Sequence, residues 1–467
     1  MTMRKFPLRP TAGALLLAAL LAALLPAPSG AQSLADRYRA TTDRIIAAAL
    51  SDSAAYERVA LLTDKFGHRL SGSASLEQAL DWIIGEMISD GLENVRGEPV
   101  MVPRWVRGAE SAMLVEPRPL ALHMLGLGGS IATPPEGITA PVLVVTSFED
   151  LAAKAAEARG KIVLFDVPFT NYGATVQYRS RGAVEAAKLG AVATLIRSVA
   201  SNSMQNPHTG AMRYDTAVTR IPAAALSVED AALLHRMHDR GERVVVTLRM
   251  EAATHPDAQS RNVVGELRGR EKPDEIVVLG GHIDSWDVGQ GAMDDAGGSV
   301  AAWEVLRVLK RLGLRPRRTI RVVLWTNEEN GLRGANAYRD AHAAELPKHM
   351  LAMESDGGVF APVGFSVDGS EETIAMMTGL APLLESIAAT QIRPGGAGAD
   401  VGPLTAAGVP GLGLQVDGTR YFWYHHSEAD TMDKLDPREM AQCVAAMAVM
   451  AYIVAEMPEE LPRRAGR

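Results

Sequence analysis

The chain has 467 residues, 47% of them apolar and 22% charged, which is enough to fill two or three domain cores and too apolar for wholesale disorder. A formal net charge of −8 argues against nucleic acid or an anionic membrane surface as partner. The one cysteine, Cys443, excludes an intrachain disulfide and reads as a small core residue of a helix.

Residues 1–31 read as a signal peptide. Arg4, Lys5 and Arg9 precede an apolar run from Thr11 to Leu25, which ends in Pro26, Pro28 and the small residues Ser29, Gly30 and Ala31. A membrane span needs about 20 apolar residues, more than this run offers. No cysteine follows for lipid attachment, so the mature chain is expected to begin near Gln32, free of the membrane and secreted or periplasmic. Losing the three basic residues moves its formal charge from −8 to −11.

Residues 32–106 form the N-terminal part of the main domain. From Leu34 to Leu92 apolar residues recur at helical spacing, as in LEQALDWIIGEMISDGL, with a stop at Asp90-Gly91, and predict two or three helices. From about Arg107 the character changes to short β-rich runs (APVLVVTSF, GKIVLFDV, VATLIRS), with helical segments near Arg181 to Lys188 and Val228 to Asp239. Residues 107–257 therefore read as a separate, smaller, β-rich inserted domain.

In residues 258–458 strands and helices alternate: EIVVLGG, a helix from Gly298 to Leu312, TIRVVLW, a helix near Arg333 to Ala344, HMLAMES, PGLGLQV, and a helix from Pro437 to Glu456. This rhythm predicts an α/β fold with a mixed sheet flanked by helices. The tail, 459–467, is expected to be disordered.

The ends of these strands carry the chemistry, as expected where ligands gather in open α/β sheets. His282 and Asp284 follow one strand, Asp294 and Asp295 precede the next helix, Glu328 and Glu329 follow TIRVVLWTN, Asp356 follows HMLAMES, and His425 and His426 lie beyond PGLGLQV. A His/Asp/Glu set without thiolates suits zinc or a similar ion in a catalytic site. It is also too rich for one ion. Two dications about 4 Å apart repel by roughly 17 kcal/mol at an effective dielectric of about 20, so a bridging carboxylate and further anions are required.

The strings GHIDSWDVGQGAMDDAGG, TNEENGLRGA, MESDGG and YHHSEADT, with FGHRLSGS near residue 70, resemble the co-catalytic di-zinc exopeptidases over nearly the whole mature chain. The resemblance implies a phosphorylase/hydrolase-like fold, with the insertion as a protease-associated domain, and two Zn2+ per chain. One ion would sit on His282, Asp294 and Asp356, the other on Asp294, Glu329 and His426, with Asp294 bridging and its peptide bond to Asp295 cis. Glu328 would be the general base toward a water held between the ions, and Asp284 would hydrogen-bond His282 and fix its tautomer. The implied substrate is a short peptide, dipeptides foremost, and a homodimer is implied as well. An aminopeptidase acting on longer peptides and a non-catalytic binding protein on the same scaffold are the alternatives.

Many members of that family place a tyrosine in the loop matching GGAGAD as a donor to the oxyanion, where this chain has glycine and alanine. Tyr424, His425 and the backbone N–H groups of residues 395–398 are the substitutes the sequence offers. Other residues have plainer explanations. Asp295 reads chiefly as the cap of the helix after it, Asp400 as the cap of residues 401–407, Asp287 as a turn former or a support of the site, and Arg393 and Arg420 as surface pairs. The glycines of GGHID and GQGAMDDAGG lack the spacing of a dinucleotide loop.

Overall fold

The computed structural model describes residues 1–3 and 33–464. The expected signal peptide falls outside them, apart from its first three residues.

Three helices follow Ser33: Leu34–Leu50, Ala54–Phe66 and Ala74–Ser89. The first and third start on serine caps: Ser33 accepts from Asp36 N, and Ser73 from Leu76 N at 3.2 Å. The third buries Leu76, Leu80, Ile83 and Met87, a stripe at helical period.

The main sheet has eight strands, in the order Glu93–Val106, Ala253–Leu267, Arg318–Trp325, Lys272–His282, His349–Glu354, Gly411–Val416, Pro362–Asp368 and Gln391–Pro394. The four central strands, Arg318–Trp325 through Gly411–Val416, run parallel. Their residues are nearly all buried because helices cover both faces. The helix Pro437–Glu456 is apolar and long enough to cross a membrane, but here it is packed inside against Leu34–Leu50 and Gly297–Arg311. On it, Cys443 is buried with its thiol donating to Phe360 O at 3.1 Å, and burial pushes the thiol pKa up.

A second eight-stranded sheet is built wholly from residues 110–250, with the helices Tyr172–Lys188 and Val228–Asp239 and its own apolar clusters. The strands that lead into and out of this unit pair with each other in the main sheet, Val106 opposite Ala253. At its root Arg107 grips Asp287 through two bonds, Nη2 to Oδ1 at 2.6 Å and Nε to Oδ2 at 2.9 Å. Asp287 is thus the partly buried carboxylate of a bidentate pair rather than a turn former alone.

Three features depart from the sequence expectation. The strand Glu93–Val106 continues directly from the helical region, and only its inner edge shows period-two burial. The sequence expectation lacked the strands Pro362–Asp368, which carries Pro362 and Gly364, and Gln391–Pro394, which is only four residues long. The tail expected to be disordered is anchored as far as it is described: Leu461 is buried, Thr373 Oγ1 donates to Pro462 O at 2.6 Å, and Arg463 donates to His349 O at 2.5 Å.

Candidate metal centre

The residues picked out along the sequence converge beyond the C-terminal ends of the parallel strands. His282 ends one strand, Glu328 and Glu329 follow the next, Asp356 lies two residues after Glu354, and His426 follows the short helix Tyr421–Tyr424 beyond Gly411–Val416. Asp294 stands between two donor sets. Its Oδ1 is 3.2 Å from His282 Nε2, which is itself 3.3 Å from Asp356 Oδ1. Its Oδ2 is 3.4 Å from His426 Nε2, which is 3.0 Å from Glu329 Oε2. His425 is stacked on His426 with ring centroids 3.5 Å apart, and its Nε2 is 3.7 Å from the same Oδ2. The geometry keeps both imidazoles within reach, with His426 the nearer.

These groups fit a divalent cation on structural grounds. Asp294 Oδ2 and Glu329 Oε1 are buried with no hydrogen-bond partner, a cost of about 1–3 kcal/mol or more for each charged group unless something positive meets it. Ligand atoms of His282, Asp294 and Glu329, and of Asp294, His425 and His426, lie within 4.8 Å of one another.

The frame around the acids explains much of the local sequence. Arg69 is fully buried and donates to the carbonyls of Gly67, Ile283, Gln290 and Gly291 at 2.8–2.9 Å, which fixes the loop carrying Asp294. Asp430 accepts from Met293 N at 2.7 Å and Asp294 N at 3.1 Å, just ahead of the cis peptide bond between Asp294 and Asp295. Gly281 sits where a Cβ would lie 2.2 Å from Asp295 Oδ2, so the GGH glycines serve close packing. Asn327, with φ +68, turns the chain so that Glu328 and Glu329 face the centre, and its side chain donates to Ser71 Oγ at 3.1 Å.

Asp284 supports His282 differently from the expectation. His282 Nδ1 is 2.9 Å from the backbone carbonyl of Asp284, which as acceptor fixes the tautomer with Nε2 toward the centre. The Asp284 carboxylate is 3.9 Å from that nitrogen and instead accepts from Glu328 N and Ser71 Oγ, each at 3.1 Å. Asp295 does accept from Gly298 N at 3.1 Å, while its other oxygen is buried and unpartnered. Asp400 caps nothing: Val401 is the cap residue of the helix Gly402–Ala406, and both Asp400 oxygens are buried without a partner. Burial, then Glu354 nearby, drives its pKa well up. Arg420 pairs with Glu439 at 2.7 Å.

Electrostatically the centre is a stack of acids waiting for positive charge. Burial opposes protonation of His282, but Asp294 and Asp356 outweigh it and hold its pKa well above the ordinary value. Burial and then the Arg179 guanidinium press His426 well below it. Burial, reinforced by Asp356, lifts Glu328 and Glu354 to about 8, and burial with Asp294 lifts Asp430 to about 7. Unfolded carboxyls titrate near about 4. Between about pH 4.5 and 8 the metal-free fold therefore binds more protons than the unfolded chain, and its stability falls as pH rises through that window. Chelated protein is expected to melt at progressively lower temperature from pH 5 to pH 8, a trend that added metal abolishes. Thermal melts in chelator and in zinc across that range check it, and a chelated melting point that climbs with pH contradicts it.

The acids open onto a cavity of about 400 Å³ lined by Glu328, Glu329, Asp356, Ala399, Tyr421 and Phe422, and on its far wall by Tyr172 and Arg179 of the inserted unit. Sequence reading missed Arg69, Tyr172, Arg179 and Tyr421. Tyr172 and Arg179 lie seven positions apart on one helix, a spacing with no motif value alone. Of the proposed oxyanion donors, His425 lines this cavity, the 396–398 stretch lines an adjoining one, and Tyr424 lines neither.

Residues 262–451 match Peptidase family M28. Carboxypeptidase Q of Homo sapiens is 51% identical over 408 residues, spanning 87% of this chain and 86% of that protein. Carboxypeptidase Q of Rattus norvegicus is 52% identical over the same length. Among solved structures, the Peptidase M28 precursor from Shewanella amazonensis SB2B has a TM-score of 0.89 at 38% identity, covering 91% of this chain and 98% of that one. An aminopeptidase from Aneurinibacillus sp. strain AM-1 shares the fold, with a TM-score of 0.65 at 20% identity over 91% of this chain and 98% of its own.

Proposed function

The chain belongs to peptidase family M28, and on that premise we propose that it is an exported zinc exopeptidase that hydrolyses short peptides, dipeptides foremost. The observation that carries this reading is the double use of Asp294, whose two oxygens face two separate donor pairs. We assign one zinc to His282, Asp294 and Asp356 and a second to Asp294, Glu329 and His426. When bound, such ions polarise a peptide carbonyl and make water acidic enough to attack near neutral pH.

The chain's own groups then have distinct tasks. Glu328, directed into the cavity but outside both donor pairs, takes the proton from the attacking water and returns it to the leaving amine. Asp284 holds the Glu328 amide and, through its carbonyl, the His282 ring. Residues 107–257 act as a protease-associated domain that walls off the cleft with Tyr172 and Arg179, and a cavity of about 400 Å³ suits a substrate of two or three residues better than a long chain. The N-terminal basic and apolar segment supports export.

Assays on zinc-loaded protein with unblocked dipeptides and with hexapeptides blocked at one end or the other test the reading. The expected result is efficient dipeptide hydrolysis that declines as the substrate lengthens. Stepwise removal of N-terminal residues from a C-blocked hexapeptide at undiminished rate would replace it with an aminopeptidase, and absence of any hydrolysis would defeat both.

A further inference from the structure

Amide hydrolysis places negative charge on the carbonyl oxygen of the scissile bond, and one donor aimed at that oxygen is worth about 10²–10³ in rate. Two phenols line the cavity, Tyr421 and Tyr172. They differ in how they are held.

Tyr172 is the first residue of the helix Tyr172–Lys188, well away in sequence from the main sheet. Its ring is stacked on Phe422 at 5.3 Å and 21°, and stands edge-on to His425 at 5.3 Å and 86°. Arg179, two turns further on, donates from Nη2 to the Tyr172 hydroxyl oxygen at 2.7 Å and from Nη1 to Thr209 O at 3.3 Å. The guanidinium is seated against Gly210, where a Cβ would lie 2.3 Å from Cζ and φ is +136°. A guanidinium has no lone pair to receive the phenol hydrogen, so that hydrogen is left for the cavity, and the donated bond polarises it further. No hydrogen bond orients the Tyr421 hydroxyl among the described residues.

We propose that Tyr172, oriented by Arg179, donates a hydrogen bond to the carbonyl oxygen of the scissile peptide as charge builds there, so that the inserted unit supplies a catalytic group to a site otherwise made by the main sheet. This rests on the peptidase reading above. The hydrogen stays on the phenol throughout, and only the hydrogen bond tightens as the carbon becomes tetrahedral. Burial keeps the Tyr172 phenol protonated, the Arg179 charge opposing it only in part, as a donor requires. The place where the family resemblance implies a tyrosine holds Gly395, Gly396, Ala397, Gly398 and Ala399 here, and Tyr172 fills the role from the inserted unit.

Arg179 Nη1 is also 3.3 Å from His426 Nδ1, so Tyr172 is the cleaner residue to alter. Zinc-loaded Tyr172→Phe is expected to lose about 100-fold in kcat on a dipeptide with KM within about threefold, at unchanged metal content and melting temperature. Its affinity for a phosphinic dipeptide isostere, which presents a tetrahedral oxyanion, should fall by a similar factor while binding of the product amino acids stays level. Wild-type kcat in Tyr172→Phe, a raised KM with kcat intact, or the same loss confined to Tyr421→Phe overturns the proposal. If wild-type protein cleaves peptides and only these variant results fail, the peptidase reading stands. If wild-type protein cleaves none, both fall.

Discussion

Glu328→Gln is expected to keep its zinc and lose about 10²–10⁴ in kcat, the usual worth of a general base. Glutamine has the shape of glutamate and keeps the backbone bond from residue 328 to Asp284 Oδ1 at 3.1 Å, so the turn after the strand Arg318–Trp325 should be unmoved. What it lacks is the ability to take a proton. Glu329, one residue on, is the acid that meets His426 at 3.0 Å, so the neighbouring carboxylates are separable: one belongs to the donor pairs and the other faces the cavity beside them. Steady-state kinetics with metal analysis on the same sample decides the matter. Retained activity removes Glu328 from the proton path, and lost metal makes it a ligand instead.

Asp294→Asn should be more damaging still, with metal content falling to one ion per chain or fewer and activity falling by at least about 10³-fold. On the proposed two-ion reading, the amide leaves one oxygen where two would be needed and removes the shared negative charge that would let two dications stand near each other. The two imidazoles nearest Asp294, His282 at 3.2 Å and His426 at 3.4 Å, lose their common acid at once. Wild-type metal content in this variant, measured by elemental analysis after gel filtration, would exclude Asp294 as the bridge.

The parallel core was legible because its strands are short apolar runs, with helices of their own period after Lys272–His282 and Arg318–Trp325 and a long one at Pro437–Glu456. The convergence of the candidate residues was legible because polar residues after such strands have few structural reasons to be there, and because the strings carrying His282, Asp294, Glu328, Glu329, Asp356 and His426 resemble those of a known family. Other parts were hidden for physical reasons. Arg69 satisfies carbonyls more than 200 residues away, and no local pattern encodes a partner at that distance. Asp400 sits before a helix, which suggested capping, yet Val401 takes the cap position with no side-chain cap bond and both Asp400 oxygens are buried. Asp284 acts on His282 through a carbonyl, which any residue possesses. Tyr172 and Arg179 gain meaning only once residues 107–257 fold back onto the main sheet.

One contact between the two units bears on how products leave. His426 has φ +59, a left-handed conformation costly for a side chain of its kind, and Thr209 N donates to its carbonyl at 2.9 Å. Beside it His208, kept neutral by burial that lowers its pKa to about 4, sits with Nδ1 2.6 Å from His425 O, and Asn206 Nδ2 is 2.8 Å from Ser427 Oγ. Swinging the inserted unit aside would wrench the very imidazole that faces Asp294. On the proposed reading, released amino acids are therefore expected to escape through a fixed aperture, with turnover independent of any swing of the inserted unit.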